Sequence, residues 1–262
     1  MDYQTIRLTN EGPLAVLEFN RPEQYNAVNP QMARELVEAV VEVAHDKGAR
    51  ALMLTGAGKS FHSGGDLKHF VTEGENLPAS LETLVHDLHG FISRLIRLPK
   101  PVVAAVNGPA AGAGFSIAMA CDLVVARADA KFTMAYTAIG ASPDGSSTFS
   151  LPRLLGLRRA LELALTNRVL TAAEALEWGL VSHVVAPENF AAEARALALQ
   201  LAEGATAAFG RTKKLLYHSL NHDLETQMEL EARGIVESTQ THDFREGTAA
   251  FVEKRKPAFK GS

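Results

Sequence analysis

The stretch Leu54–Leu67, "LTGAGKSFHSGGDL", decides between two folds. Read as the end of a phosphate-binding loop, Gly58-Lys59-Ser60 would open a helix beneath a nucleotide. That motif needs an earlier glycine where Met53 stands, and Phe61-His62-Ser63 lead into Gly64-Gly65 and not into a helix. The nucleotide reading fails on both counts. What remains is a strand over Ala51–Thr55, a turn, and Ser63-Gly64-Gly65-Asp66-Leu67. Two glycines let backbone N–H groups approach a ligand with no Cβ in the way. Asp66 is placed to cap a short helix starting at Leu67. A plain tight turn followed by an N-cap accounts for the same residues.

A second glycine cluster lies downstream, "NGPAAGAGFSIAMACD" (Asn107–Asp122). It follows an apolar strand, Pro101–Val106, and opens an apolar helix expected to run through "GFSIAMACDLVVA". A main-chain N–H at such a helix start sits where partial positive charge favours an anion. The cluster lacks G-x-G-x-x-G, so it is no dinucleotide fingerprint. Two strand–Gly–helix corners in one core could supply the paired N–H groups of an oxyanion hole.

Working outward, Leu14–Phe19 reads as a strand. Asn29-Pro30 starts a helix that carries Leu36, Val40 and Val43 at helical spacing toward Gly48. Strands separated by helices indicate an α/β core. Residues 71–80, "VTEGENLPAS", are polar and turn-rich and are expected to form a mobile loop before a helix over Leu81–Leu98. From Thr171 the pattern is mainly helical, and Thr171 with Glu174 forms a capping box. Residues 1–190 are therefore expected to form the α/β core and 191–262 a C-terminal helical region. The uncharged run Pro101–Cys121 is long enough to consider a membrane span, but Asn107-Gly108-Pro109, Gly112 and Gly114 interrupt it.

The 262 residues carry 26 basic and 30 acidic side chains, a net charge of −4, which argues against a general nucleic-acid binder. One cysteine, Cys121, excludes an internal disulfide and fits a reducing compartment. Residues 1–20 show no basic segment followed by an apolar run, so no signal peptide is expected and the protein is expected in the cytoplasm.

Asn26-Ala27, "FHSGGDL", "NGPAAGAG…ACD", "SPDGSST…LPRLLG", "EALEWGLVSHVV" and "FVEKRKPAF" occur in an order that resembles the crotonase superfamily, the enoyl-CoA hydratase/isomerase family, over nearly the whole chain. The resemblance implies a spiral of ββα units, a C-terminal helical trimerisation region, and trimers or dimers of trimers. It implies an acyl-CoA thioester whose carbonyl oxygen is held by two backbone N–H groups, here Gly65 and Ala113. The second donor in the family is usually glycine, so Ala113 is a departure. Ser63, Gly64, Asp66, Leu67, Lys68 and Ala27 match the stretch along the substrate, and Phe251 and Lys254 match tail residues that reach a neighbouring subunit's CoA. Coenzyme A is then part of the substrate, and neither a separate cofactor nor a metal is expected.

The family's hydratases carry two glutamates; this chain has Ser116 and Tyr136 at those positions. Asp144 in "GASPDGSST" is a carboxylate nearby, in a Pro-Asp-Gly turn signature. It resembles the single catalytic acid of some isomerase branches and the nucleophile of the 4-chlorobenzoyl-CoA dehalogenase branch. The surrounding segment is most similar to 1,2-epoxyphenylacetyl-CoA and Δ3/Δ2-enoyl-CoA isomerases. One carboxylate suffices to move a proton between two carbons, so the sequence reading is an acyl-CoA isomerase with Asp144 as proton shuttle and Ser116 and Tyr136 shaping the acyl pocket. A hydratase-like lyase and a non-catalytic acyl-CoA- or RNA-binding relative remain alternatives. His86-x-x-His89 and His218-x-x-x-His222 lack a third ligand and read as exposed histidines. Cys121 reads as a core thiol, Asp122 as structural and Trp178 as packing.

Overall fold

In the strand Ala51–Gly56, Leu52 and Leu54 join one hydrophobic core while Ala51 and Met53 join another. A strand buried on both faces belongs inside a parallel sheet covered on both sides. The computed structural model, which describes residues 2–262, places it there. In chain order the strands are β1 (Ile6–Glu11), β2 (Leu14–Phe19), β3 (Ala51–Gly56), β4 (Val102–Val106), β5 (Ala110–Ala111), β6 (Leu123–Arg127), β7 (Lys131–Thr133), β8 (Leu170–Thr171) and β9 (His183–Val185). The helices are α1 (Pro30–His45), α2 (Leu67–Glu73), α3 (Leu77–Arg97), α4 (Ala113–Met119), α5 (Ser147–Leu155) and α6 (Leu157–Thr166). They continue as α7 (Ala172–Glu177), α8 (Phe190–Ala202), α9 (Thr206–Ser219), α10 (Leu224–Ser238) and α11 (His242–Glu253).

The large sheet has the order β1-β2-β3-β4-β6-β9; β1 and β2 pair antiparallel and the rest parallel. A small sheet has the order β5-β7-β8. The first turn of the chain lays β1 and β2 in the large sheet before α1, and later turns lay one strand in the large sheet, one in the small sheet, and then a helix, as in β4–β5–α4 and β6–β7–α5. The turn after β3 does the same with a single bridge, His62 to Ala110, before α2. This is the expected spiral of ββα units.

Period-2 alternation sorts the strand residues. Leu52, Leu54, Val102, Ala104, Val106 and Val124 share a core with Leu36, Val40, Leu88 and Phe91 from α1 and α3. Ala51, Met53, Val103, Ala105 and Val125 share the other with Phe190, Ala194, Ala198 and Ala202 of α8. The first helix beyond residue 190 therefore covers the central sheet. Beyond it, α9 buries only Thr206, α10 nothing, and α11 Asp243 and Ala250. No helix among the described residues is long and apolar enough to cross a membrane.

Local capping follows the sequence signals: Asn29 accepts from Met32 N–H at 2.9 Å with Pro30 in the first turn of α1, and Thr171–Glu174 forms the full capping box of α7. Two expectations are corrected. Residues 71–80 are not an open loop: α2 continues to Glu73, a short 3-10 turn spans Gly74–Asn76, and α3 begins at Leu77. Pro78 initiates a helix, where its missing N–H costs nothing. The apolar helix after Ala113 ends at Met119, and Leu123–Arg127 is strand β6. A buried helix and a buried parallel strand present the same unbroken apolar run.

Candidate active site

The first corner is built around Asn26 and His62, both fully buried. Asn26 accepts from Arg21 N–H and donates to the carbonyls of Ala57, Ser60 and Phe61, tying the turn after β3 to the chain before α1. His62 Nδ1 accepts the Gly64 N–H at 3.0 Å, and Val28 N–H donates to Gly64 O at 2.8 Å. Asp66 N–H in turn donates to Val28 O at 2.9 Å. Both amides flanking Gly65 are thereby engaged, while its own N–H meets no acceptor among the described residues.

The second corner is the start of α4. Gly112 has φ +52° and ψ −124°, a conformation closed to side-chain-bearing residues, and it turns the chain from β5 into the helix. Ala113 is the first helical residue, where N–H groups have no intrahelical acceptor. Ala113 is not among the positive-φ residues, so alanine sits there without strain. The two corners touch. Gly64 has φ +99°, and a Cβ built on it would lie 3.2 Å from Ala111 O and 3.6 Å from Ala113 N. A Cβ on Gly112 would lie 3.4 Å from Gly64 Cα.

Asp66 caps α2 by accepting from His69 N–H at 3.2 Å and pairs with Arg21 Nη2 at 2.8 Å. Burial opposes its charge, but the Arg21 and His69 hydrogen bonds win and hold the carboxyl below its ordinary value. The same Arg21 donates to Ala27 O, so one guanidinium braces Ala27 against Asp66. Leu67 and Lys68 follow on the exposed first turn of α2, and Ser63 is half-buried between them and Tyr25, whose carbonyl accepts its N–H.

Asp144 joins the second corner through α4. Tyr136 donates its hydroxyl to Asp144 Oδ1 at 2.6 Å, and Ser116 Oγ lies 3.0 Å from the Tyr136 hydroxyl and 3.2 Å from Asp144 O. Burial, and then the adjacent Asp144 charge, push the Tyr136 phenol far up, so it stays protonated and donates. Gly145, at φ +61°, packs against Ser116, since a Cβ there would lie 2.8 Å from the Ser116 Cβ. Its N–H donates to His89 Nε2 on α3 at 3.1 Å. Asp144 and Gly145 line a cavity of about 910 Å³ with His89, Ser93, Tyr217 and His218. Gly65 and Ala113 do not line this cavity; Ala113 opens α4, whose Ser116 donates to the Asp144 backbone carbonyl.

The structure thus groups Ala27, Ser63, Gly64, Gly65, Asp66 and Ala113 around the two touching corners and Ser116, Tyr136 and Asp144 in a second cluster that meets them through α4, with Leu67 and Lys68 exposed beside the first. Phe251 and Lys254 are exposed at the end of α11, and the chain itself does not bring them to the site. His62, Arg21 and Asn26 were missed as site-forming residues. Asn26 and His62 lie inside the motifs Asn26-Ala27 and "FHSGGDL" but carry no assigned role there, and Arg21 has no sequence signal. His86 and His89 are exposed as expected, although His89 also accepts from Gly145. Asp122 pairs with Lys213 at 2.8 Å and accepts the Val102 N–H, which is a structural role. Burial raises the Cys121 thiol well above its ordinary value, as for a core thiol. Trp178 packs under Arg159 and Arg168.

The family profile described as Enoyl-CoA hydratase/isomerase matches residues 9–262. A Rhodobacter capsulatus protein named probable enoyl-CoA hydratase is 42% identical over 261 residues, 100% of each chain. The 1,2-epoxyphenylacetyl-CoA isomerase of Escherichia coli is 39% identical over 255 residues, 96% of each chain. A crystal structure of an enoyl-CoA hydratase from a Polaromonas species superposes with a TM-score of 0.93 at 35% identity, covering 97% of this chain and 99% of that one.

Proposed function

The chain belongs to the enoyl-CoA hydratase/isomerase family of the crotonase superfamily, and from that premise we propose that it isomerises acyl-CoA thioesters with Asp144 as its single proton carrier. Its broader class is an acyl-CoA hydratase/isomerase. The choice within that class rests on one observation: Asp144 is the sole carboxylate among the described residues lining the cavity, while Ser116 and Tyr136 hold the positions where the resemblance to the family's hydratases would put two glutamates.

The thioester oxygen sits between the Gly65 and Ala113 N–H groups. The Asp144 carboxylate removes a proton from the α-carbon of a 3-enoyl thioester. The C–H electron pair moves into a dienolate, and the charge on oxygen is stabilised by the two donors, each worth roughly 10²–10³ in rate in acyl-transfer sites. Asp144 returns the proton to the γ-carbon, giving the 2-enoyl isomer with no net change in atoms or charge. Tyr136 holds the carboxylate, Ser116 holds the Tyr136 hydroxyl and the Asp144 backbone carbonyl, and both shape the acyl pocket. The CoA portion follows Asp66, Leu67 and Lys68. Phe251 and Lys254 of the partner subunit reach it in a trimer or dimer of trimers, an assembly that also covers the exposed Leu157, Leu161 and Leu165 of α6.

Hydration is the second reading, favoured by the name of the R. capsulatus relative; it requires Asp144 to activate water together with a further partner group. Assaying Asp144→Asn on 3-enoyl-CoA isomers and on 2-enoyl-CoA hydration separates the two. Loss of isomerisation by 10²-fold or more supports the shuttle, in the ~10²–10⁴ range of general acid–base catalysis. Isomerisation within a few-fold of wild type eliminates it.

A further inference from the structure

Among the described residues His62 is the one imidazole that is wholly enclosed, and it touches both corners of the site. Its Nδ1 accepts the Gly64 N–H at 3.0 Å. Its backbone carbonyl accepts the Ala111 N–H at 3.0 Å, one residue before Gly112, and its backbone N–H donates to Pro109 O at 3.3 Å. The Phe19 ring meets the imidazole edge-on with centroids 4.9 Å apart. Its Nε2 has no hydrogen-bond partner among the described residues. A buried polar atom without a partner is costly, so a residue that leaves one is kept for what its other atoms do.

We propose that His62 is a positioning residue of the oxyanion hole: its Nδ1 holds the Gly64 peptide so that the next N–H, that of Gly65, is left free and aimed with Ala113 N–H at the thioester oxygen. The inference rests on reading Gly65 and Ala113 as the oxyanion donors. Nδ1 can accept only if the proton is on Nε2, so the arrangement demands the Nε2–H tautomer. A protonated ring would set N–H against N–H and break the corner. Desolvation, with the Arg21 charge as a second cause, keeps the ring neutral by pushing its pKa to about 3. The bond runs from a side chain to the N–H two residues on, the same span as an Asx-turn. An asparagine Oδ1 can therefore replace Nδ1, whereas phenylalanine keeps the ring and removes the acceptor.

The test compares wild type, His62→Asn, His62→Phe and Asp144→Asn on a 3-enoyl-CoA, with thermal unfolding measured alongside. The expected result is a kcat about 10–100-fold lower in His62→Phe with KM within about threefold, as for a partly misaligned oxyanion donor, and recovery to within about fivefold in His62→Asn. Full activity in a folded His62→Phe, beside an inactive Asp144→Asn, overturns this inference and leaves the proposed function intact. Full activity in Asp144→Asn overturns the proposed function instead. A second measurement needs no variant: ¹⁵N NMR of histidine-labelled protein should show His62 as a neutral Nε2–H tautomer that does not titrate between pH 5 and 9. An Nδ1–H tautomer, or protonation in that range, overturns the proposal.

Discussion

Gly114→Ala is a sharp test of the contact between the two corners. Gly114 is the second residue of α4, and a Cβ built on it would lie 2.1 Å from His62 O and 2.7 Å from His62 C. Ordinary van der Waals contact begins near 3.4 Å, so the corners must separate by 3.4 − 2.1, or 1.3 Å. The obstacle is backbone on both sides and has no rotamer to yield. A misplacement of ~1 Å at a reacting centre costs ~10² in rate, so kcat/KM on a 3-enoyl-CoA should fall at least ~100-fold. Overpacking should cost about 2 kcal/mol, lowering Tm by roughly 4–8 °C in a chain of this size. Gly140→Ala is the control: Gly140 has φ +74° with nothing within 4 Å of its Cβ position, so strain falls there without a collision. It should lose a similar amount of stability and keep full activity. A folded Gly114→Ala enzyme with kcat/KM within threefold of wild type would refute the claim that the touching corners form the oxyanion hole.

Three further expectations follow from the same contacts. Tyr136→Phe removes the 2.6 Å hydrogen bond to Asp144, and a bond to a charged group is worth about 1.5–3 kcal/mol, so kcat should fall about 10–100-fold with KM little changed. An unaltered kcat would show that Asp144 needs no such partner. The folded His62 resists a proton that the unfolded chain binds below its ordinary value of 6.5, so stability should decline as pH falls from 6.5 toward about 3, by up to ~1.4 kcal/mol per pH unit. Asp66, whose carboxyl is depressed, adds a loss that begins only below its ordinary 3.8. Urea midpoints at several pH values should show the first slope in wild type and not in His62→Asn. Lys213→Met strands the Asp122 carboxylate, already raised by burial, and should cost about 3 kcal/mol of stability by urea titration; a loss under 1 kcal/mol would show that water screens the pair.

The parts of this molecule legible in the sequence are those whose causes are local. Asn29-Pro30 starts α1, Asp66 caps α2, and Thr171 with Glu174 starts α7, because each cap is satisfied within three residues. Residues 71–80 read as a loop because their composition is polar; the helix that starts at Leu77 is rewarded only further on, where Leu84 and Leu88 enter the core as α1 packs against α3. The strands β5 and β8 hold two residues each and carry no period to detect. Among site residues, Gly65, Ala113 and Asp144 were found through ordered motifs spread along the chain. Arg21 lies outside those motifs and acts on Asp66 across 45 positions, while His62 lies inside "FHSGGDL" but its role emerges only once β5 lies beside it.

The central claim is that two backbone donors and one carboxylate make a thioester α-proton exchangeable. Incubating wild type and Asp144→Asn with a saturated acyl-CoA in heavy water, and following deuterium at the α-carbon by mass spectrometry, tests it most directly. The account predicts exchange by the wild type and a loss of at least ~100-fold in the variant. Exchange by Asp144→Asn at the wild-type rate would contradict it.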